Sequence, residues 1–315
     1  MPELILHHFQ TSPFSAKVRA VLGFKQLAWR SVTVPVYLPK PDVQALTGGY
    51  RRTPLLQIGA DIYCDTALIC EVLEHVQPAP TLYPEAVKGL SRIVAQWADS
   101  TLFWTTIAGP RNPAHLLGGG PADTAAAFNA DRAAMFGQMP RLAAPDAAAA
   151  CKSYLRRLSA MLHEQPFLLG GAPSIADFAV YAPLWFTRVR EPAAADFLQP
   201  TPSLMAWMDR MQAFGEGSAT TMDSTQAIAR AAAATPAGAG SQPLRDSNFQ
   251  DEHGIALGSR VGIRAESFGP EVSEGTLIAA TRTHYSLERS DPRAGTLHVH
   301  FPRVGYVLAR SGPPQ

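Results

Sequence analysis

The chain has 315 residues, 46% of them hydrophobic and 17% charged, with a formal net charge of +1 at pH 7. It is too long for one ordinary core, so two or three domains are expected, and too apolar to be disordered. So weak an overall field argues against electrostatic capture of nucleic acid or an anionic membrane as the main activity. The cysteines, Cys64, Cys70 and Cys151, are odd in number and lack CxxC spacing, which indicates neither a disulfide framework nor a zinc site and fits a reducing compartment.

Residues 1–9 carry no basic leader and only a short apolar run, so they read as a strand rather than a signal peptide. A strand over 4–9, a polar turn over 10–13, helical periodicity over 16–24 and a β-rich run over 29–36 make a βαβ unit, for which a right-handed crossover is expected. Residues 39–50, with two prolines and a Gly-Gly pair, are expected to be exposed and irregular. Two short runs, 54–58 and 62–64, flank a turn with Gly59 and Asp61 and predict a hairpin, and a helix over 66–75 completes a ββα unit.

From 86 to about 231 the apolar spacing is helical, without strand alternation, which predicts an all-α second domain. The apolar stretch 167–186 approaches membrane-span length but holds Gly170, Gly171, Pro173, Asp177 and Pro183, so it reads as a buried core helix with its approach loop. Ser174 and Asp177 form an S-x-x-D start signal, with Ser174 as N-cap. Residues 232–250, rich in Ala, Gly and Pro, have a linker's composition. Beyond them, β-type runs at 260–265, 275–281, 284–289, 296–301 and 305–309 predict a small β-barrel within 251–315. Its seven arginines against five acidic residues over 253–311 are too balanced for a nucleic-acid surface. His298 and His300 share a strand face, a possible metal or substrate edge. Alternation alone explains the pair, and a metal would need a third ligand, so no metal site is assigned.

Three local patterns stand out: Ser12-Pro13-Phe14-x-x-Lys17-Val18-Arg19 after the first strand, Arg52-Thr53-Pro54-Leu55-Leu56 opening the third, and Asp65-Thr66 at the following helix. Together with the element order, they make residues 1–230 resemble the soluble glutathione transferases, of the serine type. The resemblance implies an α+β multidomain protein: a thioredoxin-like βαβ-ββα domain over 1–83 that binds glutathione, an all-helical domain over 86–231, and the β module as an addition. Glutathione is then a co-substrate, with no prosthetic group, and a small hydrophobic electrophile is the other partner. The family resemblance and the prevalence of two-fold oligomers imply a homodimer, and the location implied is cytoplasmic.

The resemblance also implies site roles. The residue at Ser12 faces the glutathione sulfur, where a hydroxyl donating a hydrogen bond favours thiolate over thiol without itself becoming a nucleophile. Ser15 is the rival hydroxyl, and an N-cap role explains Ser12 equally well. Phe14 belongs to the same binding segment. Pro54 matches a cis-proline that turns the Thr53 backbone toward the cysteinyl unit, although a trans proline at a strand start is the commoner reading in isolation. Asp65 and Thr66 match the pair that holds the γ-glutamyl end, and both also suit a helix N-terminus. Arg52 and Lys40 suit the glycyl carboxylate, with Arg52 preferred. An electrophile pocket is expected on the second domain's first long helix, near Trp97, Phe103, Trp104 and His115, most of which equally suit a core. No cysteine stands at 12 or 15, so disulfide chemistry is not expected. Two functions stay open: a transferase that activates the glutathione thiol, and a non-catalytic glutathione-binding or protein-interaction component using the β module.

Overall fold

The computed structural model describes residues 1–107, 122–190, 198, 201–238, 243–244, 246–250 and 252–311. The buried run ILHH forms β1 (Ile5–His8), and Ser12 and Pro13 open α1 (Pro13–Phe24), where a proline costs no helical hydrogen bond. β2 (Ala28–Thr33) returns parallel to β1, with Ile5 opposite Arg30. The segment expected to be irregular instead contains α2 (Pro41–Thr47). Pro41 at the helix start and Val43, Leu46 and Thr47, buried at i, i+3 and i+4, make one amphipathic turn that the flanking prolines and glycines had hidden. The hairpin β3 (Leu55–Ile58) and β4 (Asp61–Cys64) pairs Leu55 with Cys64 and leads into α3 (Thr66–Val76).

The helical part follows. α4 (Lys88–Trp97) runs through a π-helical turn, Ala98–Leu102, into α5 (Phe103–Ile107). Then come α6 (Ala122–Phe136), α7 (Ala144–Met161), α8 (Ile175–Arg190) and α9 (Pro202–Gln212). The start of α8 is fixed from within. Asp177 accepts hydrogen bonds from the Ser174 N–H (2.9 Å) and hydroxyl (3.1 Å), the Leu168 N–H (2.9 Å) and Trp207 Nε1 (3.0 Å).

The second region is helical as expected, with one short strand near its end. β5 (Ser218–Thr221) adds parallel to β2, outermost on the first domain's sheet, before α10 (Ser224–Ala232). Its four residues, SATT, are all exposed, so no alternation marked them.

The expected C-terminal strands all form: β6 (Arg260–Ala265), β7 (Ser273–Ala280), β8 (His284–Asp291), β9 (Gly295–Pro302) and β10 (Tyr306–Arg310). They pair antiparallel in the order β10-β6-β7-β8-β9. Among the described residues the ladder runs on from β9 into a parallel pairing with β4 rather than back to β10. The result is one ten-stranded sheet, β10-β6-β7-β8-β9-β4-β3-β1-β2-β5.

Strand alternation divides two cores across this sheet. Leu56 and Tyr63 pack with α1, α3 and the helical region, whereas Leu55, Ile62 and Cys64 pack with α2, α10 and the β module. The linker is also tied down, because the Ala237 N–H donates to Asp61 (2.8 Å) and its carbonyl lies 3.0 Å from His298 Nδ1.

The module meets α2 at Gly49, where an added methyl would stand 1.9 Å from the Val272 carbonyl oxygen. The adjoining Tyr50 N–H donates to Ser273 Oγ at 3.0 Å. Gly49→Ala is therefore expected to destabilise the protein by about 2–3 kcal/mol, read as a lower urea midpoint. An unchanged midpoint would mean that this contact does not hold the module in solution.

Candidate glutathione site

Ser12 ends the turn after β1 with extended backbone (φ −73°, ψ 126°), and its Oγ accepts the Ser15 N–H at 3.1 Å. It therefore caps α1. Capping uses an oxygen lone pair and leaves the hydroxyl proton available to another acceptor. Ser12 is 3% exposed, while Ser15 is fully buried and its hydroxyl has no hydrogen-bond partner among the described residues. Phe14 packs its ring 4.6 Å from that of Phe103 and so links α1 to α5.

The two cations of the first motif are structural. Lys17 Nζ lies 2.5 Å from Asp99 Oδ2 and donates to Thr66 Oγ1 at 3.1 Å, and Arg19 pairs with Glu216 at 2.9 Å. Asp99 lies in the π-helical turn, a local irregularity of the kind that often sits at functional sites.

The Thr53–Pro54 bond is cis. Beside it, buried Lys40 donates to Thr53 Oγ1 at 3.2 Å and to the Arg51 carbonyl at 3.3 Å. Burial first, then the nearby cations Arg132 and Arg51, outweigh the pull of Asp131 and Glu271 and hold the Lys40 pKa down to about 7. Arg52, which the sequence favoured for the glycyl end, stands beside Asp65 and Tyr306. Its Nη1 stands 3.9 Å from Asp65 Oδ2, and its guanidinium lies 5.9 Å from the Tyr306 ring.

Asp65 has φ 73° and ψ 138°, a conformation that favours glycine. Such backbone costs of order 1–3 kcal/mol and clusters at functional sites. Its Oδ1 accepts the Ala67 N–H at 2.9 Å, capping α3, and its Oδ2 accepts the Tyr306 hydroxyl at 3.0 Å. Thr66 follows with its backbone at the helix start. The three sequence patterns are thus brought together: Lys17 of the first bonds Thr66 of the third, and Arg52 of the second faces Asp65.

Of the expected pocket residues, Trp97 packs edge-on to Tyr154 at 5.0 Å and lies partly buried against the core. Trp104 lies 5.1 Å from Phe136 and 5.2 Å from Phe268, ring to ring. His115 lies outside the described residues. Phe268 belongs to the β6–β7 connection, and so do Ser267, 3.5 Å from Arg52, and Gly269, whose N–H donates to the Met135 carbonyl at 2.7 Å. From the same connection Glu271 pairs with Arg51 at 2.5 Å, and Arg51 reaches Asp131 of α6 at 2.5 Å. The β module therefore sits on this site, which no local pattern announced, since Tyr306 and Asp65 are 241 residues apart.

The chain is also similar to known proteins. The family model "Glutathione S-transferase, N-terminal domain" matches residues 6–81, and "Glutathione S-transferase, C-terminal domain" matches 124–210. The crystal structure of a GST-like protein from Pseudomonas syringae is 41% identical and superposes with a TM-score of 0.80, covering 98% of this chain and 100% of its own. The chain belongs to the glutathione S-transferase family. With so nearly complete a coverage, the Pseudomonas protein shares the β module too.

Two more distant structures share the fold alone. They are glutathione transferase GSTFuA3 from Phanerochaete chrysosporium (18% identity, TM-score 0.54, 67% of this chain and 97% of that one) and the β-etherase LigF from Sphingobium sp. strain SYK-6 (20%, 0.50, 67% and 95%). No curated protein matches the sequence. Among the described residues, no helix is long and apolar enough to cross a membrane.

Proposed function

We propose that the protein binds glutathione and activates its thiol for attack on a small hydrophobic electrophile. The reading rests on the wiring of the three patterns into one cradle through Lys17–Thr66 and Arg52–Asp65. Ser12, at the positive end of α1, donates its free proton to the sulfur, with Ser15 as the alternative donor. The Thr53 backbone pairs with the cysteinyl unit. Asp65 faces the γ-glutamyl ammonium, and Thr66 with the α3 N-terminus takes the γ-glutamyl carboxylate, with Arg52 alongside. Lys40, held at Thr53, takes the glycyl carboxylate. Phe103 and Trp104 form the electrophile wall, with Phe14 of the glutathione-binding segment packed against Phe103.

In this division of labour residues 1–83 bind glutathione, 86–231 supply the electrophile side, and 251–315, reached through 232–250, close over both. A cytoplasmic homodimer is the proposed state. Glutathione affinity capture followed by ultraviolet titration of the bound thiol tests the reading. A thiol pKa equal to that of free glutathione would remove Ser12 from the mechanism.

One observation favours a second reading, a non-catalytic binder. The Tyr306 hydroxyl already occupies Asp65, and Phe268 lies on Trp104, so the module holds contacts at both ends of the cradle. Glutathione binding without turnover over a panel of electrophiles would decide for it.

Lys40 gives the site a pH dependence. Its ammonium attracts the glycyl carboxylate below its pKa of about 7 and is lost as pH rises through that value. Affinity for S-methylglutathione, which has no thiol to ionise, is expected to fall between pH 6 and 9, approaching tenfold per pH unit at most. Calorimetric titration would show a flat profile in Lys40→Arg. A flat wild-type profile would separate Lys40 from the ligand.

A further inference from the structure

A second cluster lies away from the glutathione cradle, at the seam where β9 joins β4. A cavity of about 90 Å³ opens there, and Asp61, Ser286 and His300 are among the residues that line it. The β8–β9 register sets Ser286 directly opposite His300. Ser286 Oγ lies 2.7 Å from His300 Nδ1, and His300 Nε2 lies 2.9 Å from Asp61 Oδ1. Asp61 is itself held by the Ala237 N–H, and the Tyr63 ring stacks on the imidazole at 4.8 Å and 17°.

The tautomer follows from the partners. Ionised Asp61 only accepts, so it takes the Nε2–H and leaves the Nδ1 lone pair to receive the Ser286 proton. Burial outweighs the pull of Asp61 and lowers the His300 pKa, so the ring is a neutral base at pH 7. Ser286, His300 and Asp61 are 2%, 7% and 5% exposed. All three line the cavity.

We propose that Ser286, His300 and Asp61 form a second catalytic centre, a serine nucleophile that hydrolyses short-chain acyl esters. Ser286 Oγ bonds to the ester carbonyl carbon as its proton passes to His300 Nδ1, and Asp61 stabilises the imidazolium through Nε2–H. His284 lines the same cavity. Its Nδ1 lies 3.0 Å from both Thr281 and Thr283 hydroxyls, and in the tautomer in which Thr283 donates to Nδ1 the Nε2–H is left to donate to the tetrahedral oxyanion. The alcohol departs with the proton from His300. Water then attacks the acyl-serine, His300 takes the water's proton and returns it to Ser286, and the carboxylic acid leaves. Leu244 and Ile278 supply apolar lining for the acyl chain. A cavity of about 150 Å³ accepts benzene, so this smaller one suits an acyl group of about two to four carbons.

The test uses the full chain without glutathione and a fluorophosphonate, which bonds phosphorus to an activated serine oxygen and releases fluoride. Peptide mapping of the wild type is expected to place one adduct on Ser286, with p-nitrophenyl acetate hydrolysis lost in proportion to labelling. Ser286→Ala should abolish both, and His300→Gln and Asp61→Asn should slow labelling by about 100-fold or more. Glutathione capture by Ser286→Ala reports that the variant is folded and leaves the transferase reading untouched. No adduct in the wild type, or an adduct at another residue, overturns the proposal, and that result is independent of whether any variant folds.

Discussion

Ser12→Ala is expected to lower glutathione turnover by about 100- to 1,000-fold while leaving glutathione affinity within about threefold. The magnitude is that of removing one preorganised hydrogen-bond donor from a developing or stabilised anion, about 3–4 kcal/mol. Affinity should hold because Thr53, Asp65, Thr66 and Lys40 reach the rest of the tripeptide in the proposed pose. The bound thiol should titrate near its free value again, since each unit of pKa lowering corresponds to about 1.4 kcal/mol of preferential thiolate binding.

Ser12 also caps α1 through the Ser15 N–H, so alanine should cost about 1 kcal/mol of stability as well. Ser12→Gly nearly preserves the cap and separates the two effects. Steady-state rates and ultraviolet titration of the two variants, beside Ser15→Ala, assign the donor. Full activity in Ser12→Ala with loss in Ser15→Ala would move the role to the buried, unpartnered Ser15 hydroxyl.

Asp177→Ala carries the largest expected stability loss. Its carboxylate, fully buried, collects four donors from three places: the approach loop at Leu168, the helix start at Ser174 and the α9 indole of Trp207. Alanine strands all four where no water replaces the acceptor, at about 3–5 kcal/mol in total. The thermal midpoint should fall by about 10 °C. Ser174→Ala removes only one of the four donors and should cost about 1 kcal/mol. Scanning calorimetry of the pair checks the difference, and equal midpoints would show that the network does not act through Asp177.

What could be read from the sequence was what short-range chemistry governs. Ser12-Pro13 announces a cap and a helix start, the Ser174–Asp177 spacing marks the beginning of α8, and alternation between turn residues locates all five C-terminal strands to within about two residues. α2 escaped because its single apolar turn lay among prolines and glycines, and β5 because SATT has no apolar face. Lys17 and Arg19 stood in the first pattern without an assigned partner, and they hold Asp99 and Glu216, 82 and 197 residues away. The position of Tyr306 and Phe268 over the cradle had no sequence signal. It depends on strand pairing across most of the chain, which no local pattern encodes.

That pairing has a kinetic side. The His300–Asp61 contact spans 239 residues, so the edge at β4 cannot be covered until almost the whole polypeptide has been made. During synthesis the N-terminal strands present an unpaired edge, the state in which sheets recruit foreign strands. Closing so long a loop also places this protein among the slow folders for its size. Chains that stop near residue 250 would keep the proposed cradle's sequence but leave that edge open, and their fate should be aggregation rather than a smaller folded protein.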